Sequence, residues 1–456
     1  MLERDYIFLG TTTSLCPRCR AVVPAKILVR DNRVYFRKSC PDHGILEDFV
    51  CSDAKYFDRN EFTQPAKYPR ELSVESSKGC PYDCGLCPEH EQHTCVGLIE
   101  ITSACNLECP MCYAVSGPGG KHMSFDDYTR TVDRFVRQEG EPDVLQISGG
   151  EPTIHPEIVK MVRYAYGTPT QVVMINTNGI RLAKDPALVD ALSSMRDKVE
   201  IYLQFDGFEK KTYAALRGEP LIDLKLQAIE ALAKADLRTT LVCTAQHGVN
   251  LHELGAIVKF GLERPSIRGV SFQPATYVGR HIDPKDLENR ATIPDVVKGI
   301  VAQTEGLFVE SDFLPVPCAH PNCHSITWVW RGGGKPTPVT RLLDVTKHLS
   351  LAANTLVYTP QKAKALIATA MKNECCAPNE FLEAALAEQL TGKTMFRITL
   401  TAFLDKHIFD VRRAMKCCIA FLLPSGHTVP FCTYNTLYRD GHLALPPVRD
   451  AAKIEL

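Results

Sequence analysis

Long apolar runs are absent from this sequence, tryptophan is nearly so, and charge is balanced: 52 Lys+Arg face 53 Asp+Glu in 456 residues with two Trp. No run approaches the roughly 18 apolar residues that a membrane-spanning helix needs. Met1-Leu2-Glu3-Arg4-Asp5 does not begin an apolar signal segment, so a cytoplasmic chain without a transmembrane segment is expected. A net charge of −1 gives no broad field to steer a polyanion, which argues against nucleic acid as a partner. At 45% hydrophobic residues the chain does not lack core, and its length suits two or three domains. No conventional acid–base or nucleophilic constellation stands out, and no catalytic side chain is assigned.

Cysteine, by contrast, is plentiful: nineteen residues, which in a reducing compartment point to metals rather than disulfides. Their grouping follows the organisation of the chain. Residues 1–70 carry short strands (Ala25 to Arg30, Val34 to Arg37) between cysteine pairs, a small ribbon-like metal domain. Residues 71–96 form an auxiliary cluster segment. Residues 97–280 alternate strands with amphipathic helices, the pattern of a parallel α/β fold closing into a partial barrel. The strands are expected at Leu98 to Thr102, Val144 to Ser148, Val172 to Thr177, Val199 to Phe205, Thr239 to Thr244 and Gly269 to Gln273. Residues 281–456 form an α+β extension, irregular over Pro315 to Pro338 and mostly helical over Pro360 to Thr391.

After the first barrel strand stands Cys105-Asn-Leu-Glu-Cys109-Pro-Met-Cys112. Three thiolates at this spacing can hold three irons of a [4Fe–4S] cluster and leave the fourth open, although spacing alone also allows a zinc knuckle. Upstream, Cys80, Cys84 and Cys87 repeat the spacing, and Cys95 offers a fourth thiolate for a closed cluster. At the N-terminus, Cys16, Cys19, Cys40 and His43 suit a mononuclear zinc site, or rubredoxin-like iron if Cys51 replaces His43. In the last third, Cys318, Cys323, Cys417, Cys418 and Cys432 offer thiols for a further cluster. Cys243, mid-strand, reads as packing; Cys375 and Cys376 are unassigned.

The Cys105 triplet resembles that of the radical S-adenosylmethionine (radical SAM) enzymes, which carry it after the first strand of a partial (βα)6 barrel. Gly149-Gly150-Glu151-Pro152, 37 residues after Cys112 and at a strand end, matches the segment that in this family grips the methionyl amino group of SAM. Asn178 and Gln204, at the next strand ends, are then candidates for SAM or substrate, ahead of Arg217, Gln273 and Arg280. The resemblance implies reductive cleavage of SAM to a 5′-deoxyadenosyl radical that abstracts hydrogen from an unreactive carbon. It also implies a reductant protein such as ferredoxin or flavodoxin. From Ser14-Leu-Cys-Pro-Arg-Cys19 through Pro317-Cys-Ala-His-Pro-Asn-Cys323 to Pro430-Phe-Cys-Thr-Tyr-Asn435, the layout is similar to the archaeal tetraether lipid synthase group, whose relatives include pterin-modifying methyltransferases. That implies one or two auxiliary [4Fe–4S] clusters, a mononuclear zinc or iron, and C–C coupling of lipid alkyl chains with peripheral membrane contact. The alternative is methylation or other modification of a small polar heterocycle such as a pterin. A lipid substrate needs an apolar tunnel, for which Ile419 to Leu423 and Trp328-Val-Trp330 are candidates, although core strands explain them equally well.

Overall fold

The structure, a computed structural model, describes residues 4–281, 286–372, 379–448 and 452–453; Cys375 and Cys376 lie outside them. Residues 7–51 form a four-stranded antiparallel sheet, β1 (Ile7–Leu15), β2 (Val22–Arg30), β3 (Arg33–Cys40) and β4 (Gly44–Cys51), in sequential order. Its apolar face packs Ile27, Val34, Phe36 and Val50 into one core with Phe409, Val411 and Leu437 near the C-terminus. Burial of this shared surface fixes the ribbon to the rest of the molecule.

Alternating strands and helices then build the barrel: β5 (Val96–Glu100), α1 (Phe125–Glu139), β6 (Val144–Ser148), α2 (Ile158–Tyr166), β7 (Val172–Thr177), α3 (Ile180–Lys184), α4 (Pro186–Ser193), β8 (Val199–Gln204), α5 (Lys210–Arg217), α6 (Ile222–Lys234), β9 (Arg238–Ala245), α7 (Leu254–Leu262) and β10 (Ile267–Pro274). The six strands pair in sequential order and all in parallel. Helices cover the outer face, so the strands read as short apolar runs, Val144–Ser148 being buried throughout. Ser124 caps α1 by accepting the Asp127 N–H at 3.0 Å, as its position before the apolar period suggests.

The C-terminal region extends this sheet at both edges. It adds α8 (Ile293–Gln303), β11 (His324–Trp330), α9 (Pro360–Lys372), α10 (Glu380–Leu386), β12 (Met395–Thr401), α11 (Val411–Met415), β13 (Ile419–Leu422) and β14 (Thr428–Pro430). β12 runs parallel to β10 and β13 parallel to β5, and β11 and β14 continue outward in antiparallel pairing. The expectation of irregular structure over Pro315 to Pro338 is corrected by β11. Between its Pro- and Gly-bearing flanks the segment His-Ser-Ile-Thr-Trp-Val-Trp is β-branched and aromatic, and β12 satisfies its backbone along the whole strand. Among the described residues no helix is long and apolar enough to cross a membrane.

Candidate active site and metal centres

The loop after β5 brings Cys105, Cys109 and Cys112 to the C-terminal edge of the sheet, where parallel barrels place their chemistry. Its backbone is pinned from the opposite edge of the six strands. Cys112 exchanges backbone hydrogen bonds with Arg280 at 2.7 and 2.9 Å, and the Arg280 guanidinium donates to the carbonyls of Cys109 and Ser116, both at 2.7 Å. Burial pushes the Cys105 thiol up to about 12; it also raises Cys109, against the opposing charge of Arg217. These two thiols stay protonated and inert until a metal claims them, and with Cys112 on the same loop the three sulfurs fit a cluster with one open iron.

Glycine is required where the next strand meets this loop. The Gly150 N–H donates to Thr102 O at 2.7 Å and the Glu151 N–H to Ala104 O at 2.9 Å. A Cβ at Gly149, whose φ is +135°, would lie 2.2 Å from Thr102 O, and one at Gly150 would lie 2.2 Å from Ala104 O. Glu151, 1% exposed, accepts from Thr153 N–H and Oγ1, from Thr177 Oγ1 and from the Asn178 N–H at 2.6–3.0 Å. Its carboxylate thus ties the end of β6 to the end of β7, and Pro152 opens the buried turn that follows.

Asn178 donates from Nδ2 to Asn106 Oδ1 of the triplet loop at 2.7 Å, and its own Oδ1 accepts the Ile180 N–H at 3.0 Å. The Gln204 amide donates to the Asp206 carboxylate and accepts from Lys225 Nζ at 2.7 Å. Asp206, fully buried, is held by Arg217 through two hydrogen bonds of 2.8 Å. Lys225 escaped the sequence reading, although a lysine on the apolar stripe of α6, between Ile222 and Ala228, is an available signal. It is fully buried, donating also to Asn178 O at 2.5 Å, and so supports both candidate residues from beneath.

Burial holds Lys225 down at about 7, against the opposing pull of Asp206. A lysine with a depressed folded value binds fewer protons folded than unfolded between the two values. Its burial therefore costs stability below pH 7, and the cost fades as pH rises toward the unfolded value near 10.5. The Lys225→Met protein, compared with wild type by chemical denaturation, should lose about one proton's worth of this rise. Equal pH slopes in the two proteins would show that Lys225 is charged throughout.

At the ribbon, Cys16, Cys19, Cys40 and His43 present their ligand atoms within 4.8 Å of one another. His43 Nδ1 lies 3.5 Å from both Cys16 Sγ and Cys40 Sγ, a compact three-sulfur, one-nitrogen set that fits a tetrahedral ion. Cys51 is turned away and donates to Asp53 O at 3.4 Å, so His43 is the fourth donor of this set.

The remaining thiols sort differently from their order in the chain, which corrects two expected groupings. Cys80, Cys84 and Cys87 share a loop in which the Asp83 carboxylate collects the N–H groups of Ser77, Lys78 and Gly79. Cys95 does not join them. It immediately precedes β5 and meets Cys318 and Cys418, the three sulfurs lying within 4.8 Å of one another. Nor do the five C-terminal thiols form one group. Cys417 and Cys418 lead into β13; Cys418 meets Cys318, their Sγ atoms 3.7 Å apart, while Cys417 Sγ donates to Ile419 O at 3.1 Å. Cys323 in turn accepts from Arg413 Nε at 3.3 Å. Cys243 is buried packing, its Sγ 3.6 Å from Asp206 O.

A cavity of about 1080 Å³ runs from Met111, Cys112 and Tyr113 into the barrel. Its strand wall mixes apolar Val96, Leu98, Val144, Val172, Met174 and Val242 with polar Gln146, Asn176, Tyr202, Thr244 and Gln273, and Leu349, Leu356, Val357 and Ile367 of the C-terminal region form an apolar wall. Trp328 and Ile419 also line it, while Val329, Phe421 and Leu422 are core. Five buried polar atoms of cavity-lining residues, Arg268 Nε and Nη1, Thr327 Oγ1, His348 Nε2 and Asn435 Nδ2, have no hydrogen-bond partner among the described residues.

Comparison with known proteins adds to this geometry. The radical SAM superfamily profile matches residues 99–261, and a profile described as the HMPTM N-terminal zinc ribbon domain matches residues 8–52. The 7,8-dihydro-6-hydroxymethylpterin dimethyltransferase of Methanocaldococcus jannaschii is 32% identical over 480 residues, 94% of each chain. Mycofactocin maturase MftC of Mycolicibacterium smegmatis is 31% identical over 182 residues, 37% of this chain and 45% of that protein. Among solved structures, Streptococcus suis SuiB bound to S-adenosylmethionine is similar at a TM-score of 0.39 and 17% identity, over 47% of this chain and 49% of its own. With its triplet loop at the end of β5, its ribbon and a relative similar over nearly the whole length, the chain is a radical SAM enzyme, using a [4Fe–4S] cluster and SAM beside a zinc ribbon and further thiolate sites, and belongs to the same family as the M. jannaschii enzyme.

Proposed function

We propose that this enzyme modifies a small, flat, polar heterocycle of the pterin class, by methylation in the first instance. The polar groups set among the apolar lining of the cavity, Gln146, Asn176, Tyr202, Thr244 and Gln273 with the unpartnered Asn435 Nδ2, carry this reading. An alkyl chain in this cavity would offer no hydrogen bond to the groups the protein leaves unsatisfied there, such as Asn435 Nδ2 and Thr327 Oγ1, at about 1–3 kcal/mol for each. A flat heterocycle meets these groups with its hydrogen-bonding edges and the apolar lining with its faces. The similarity to a pterin dimethyltransferase supports the same choice over lipid coupling.

The residues divide the work. Cys105, Cys109 and Cys112 would hold the cluster, which with SAM supplies one-electron cleavage to a hydrogen-abstracting radical. Arg280 and the Gly149-Gly150 seam fix the loop that carries these thiols. Asn178, Gln204 and Lys225 form a hydrogen-bonded floor beside it. The C-terminal region walls off the barrel, keeping water from the substrate. A low-potential carrier of the ferredoxin or flavodoxin type would supply the electron.

The test is anaerobic incubation of reconstituted enzyme with dithionite, SAM and either 7,8-dihydro-6-hydroxymethylpterin or a cellular lipid extract, with 5′-deoxyadenosine and S-adenosylhomocysteine measured by mass spectrometry. Pterin-dependent formation of both products is expected; stimulation by lipid alone would overturn the reading. In the same assay Asn435→Leu, which removes the unpartnered Nδ2 donor, should cut pterin-dependent turnover by about tenfold and leave substrate-independent deoxyadenosine unchanged.

A further inference from the structure

We propose that the end of the cavity remote from the cysteine triplet is an oxyanion site, formed by Arg268 with Arg238 and Arg397, which holds a carboxylate or phosphate at the far end of an elongated substrate. The cavity follows the barrel strands from one end to the other. Thr244 and Gln273 line it toward the C-terminal ends of β9 and β10, Arg238 and Arg268 line it at their N-terminal ends, and Arg397 joins them from β12. The strand from Arg238 to Thr244 spans about 20 Å at roughly 3.3 Å per residue, so a bicyclic heterocycle seated beside the triplet cannot reach across it.

Local structure gathers the arginines. Thr239 lies opposite Ile267 and Thr240 opposite Gly269, so Arg268 is the extra residue of a bulge, a device that re-aims a side chain. Gly392 leaves room for its guanidinium, since a Cβ there would lie 2.8 Å from Arg268 Nη1. Arg238 is committed to the carbonyls of Arg196 and Asp197, and Arg397 to Glu200 and, at 3.1 Å, to Thr240 Oγ1. The other carboxylates nearby are engaged too, Asp236 by Lys393 at 3.1 Å and Asp197 by the Tyr166 hydroxyl at 3.2 Å. Arg268 is left over, its Nε and Nη1 buried donors without a partner among the described residues. Burial, and then the charges of Arg238 and Arg397, hold Arg268 below the usual arginine range; burial and the charge of Arg268 hold Arg331 down at about 10. Buried positive charge in this state is costly, and an oxyanion that accepts from the guanidinium is the partner that relieves it.

The lining between the two ends describes the rest of the ligand. Along three strands an apolar residue precedes a polar one: Val144 before Gln146, Met174 before Asn176 and Val242 before Thr244. A flat polar head, an apolar or aromatic spacer and a terminal oxyanion match this order. The identity of the head rests on the pterin reading above; the anion site does not.

Equilibrium dialysis of full-length, anaerobically reconstituted enzyme tests the proposal with three probes: 7,8-dihydro-6-hydroxymethylpterin as the head alone, 7,8-dihydrofolate as a head with an aryl spacer and terminal carboxylates, and inorganic pyrophosphate as the anion alone. Dihydrofolate should bind about tenfold more tightly than the tailless pterin, the gain expected of a charge-assisted bond. Arg268→Gln should erase that gain and Arg268→Lys, which keeps the charge without the fork, should retain part of it. Pyrophosphate should compete with dihydrofolate and not with the tailless pterin. Retained ribbon zinc and SAM binding certify that each variant is folded. Pyrophosphate bound together with dihydrofolate would make a free anion the ligand and overturn the substrate tail. Equal affinity for the two pterins, a gain that survives Arg268→Gln, or pyrophosphate binding that ignores Arg268 would overturn the proposal. Pyrophosphate binding that is lost in Arg268→Gln, with neither pterin bound, would instead support the anion site and sink the heterocycle.

Discussion

Replacing Cys105, Cys109 or Cys112 singly by alanine should abolish reductive cleavage of SAM, lowering 5′-deoxyadenosine formation by at least about a thousandfold, while ribbon zinc and auxiliary iron remain. A cluster with one open iron has no spare protein ligand, so each thiolate is indispensable. The effect should stay local, because the loop is held by backbone hydrogen bonds that alanine preserves: Cys105 N–H to Gly117 O at 2.8 Å, and the exchange between Cys112 and Arg280. The Cys80 triplet serves as the internal control. It has the same spacing but lies before β5 rather than at its C-terminal end, so Cys84→Ala should lower iron while leaving SAM cleavage measurable. Deoxyadenosine formation retained in all three Cys105-triplet variants would move the SAM site to the other triplet. Mass spectrometry of the nucleoside beside metal analysis of the same samples decides the matter.

The barrel was legible because parallel strands covered by helices must be short apolar runs, and amphipathic helices carry their period openly. Val144–Ser148 and Val172–Thr177 coincide with their expected ranges, and the Cys105 triplet follows β5. What sequence order hides is pairing at a distance. Nothing local announces that β13 lies beside β5, and that register takes Cys95 away from the cysteines nearest to it in the chain and sets it beside Cys418. The division of Cys417 from Cys418 depends on their leading into a strand, which a short four-residue element scarcely signals. β11 was masked by flanking Pro and Gly, whose turn signals outweigh a seven-residue aromatic run until a neighbouring strand is known. Lys225 was overlooked for a related reason: a charged residue on an apolar stripe becomes informative only when the acceptors above it, Asn178 O and Gln204 Oε1, are in view.

Gly150→Ala should lower SAM cleavage by about a hundredfold, although it removes no ligand and no charge. The new Cβ would sit 2.2 Å from Ala104 O, 2.6 Å from its carbonyl carbon and 3.1 Å from Cys105 Cβ. The first two are backbone atoms and cannot swing aside as a flexible side chain would. Relief requires the seam between the glycine pair and the triplet loop to open, at the expense of the Gly150-to-Thr102 and Glu151-to-Ala104 hydrogen bonds. Since Cys105 follows Ala104 directly, the displacement passes into the first cluster ligand. A shift of about 1 Å between reacting groups costs on the order of a hundredfold in rate, so SAM cleavage should fall by about that factor. Ser148→Ala, at the end of the same strand, leaves the seam intact and should cost far less. Ribbon zinc should be unaffected, since the atoms nearest the new Cβ, of Ala104 and Cys105, belong to the triplet loop. Anaerobic SAM binding by equilibrium dialysis, measured beside deoxyadenosine yield, separates a displaced loop, in which both fall together, from a cluster that fails to assemble, in which iron falls as well. Wild-type binding and cleavage in Gly150→Ala would mean that the seam yields without moving the triplet, and the positioning role given to these glycines would be wrong.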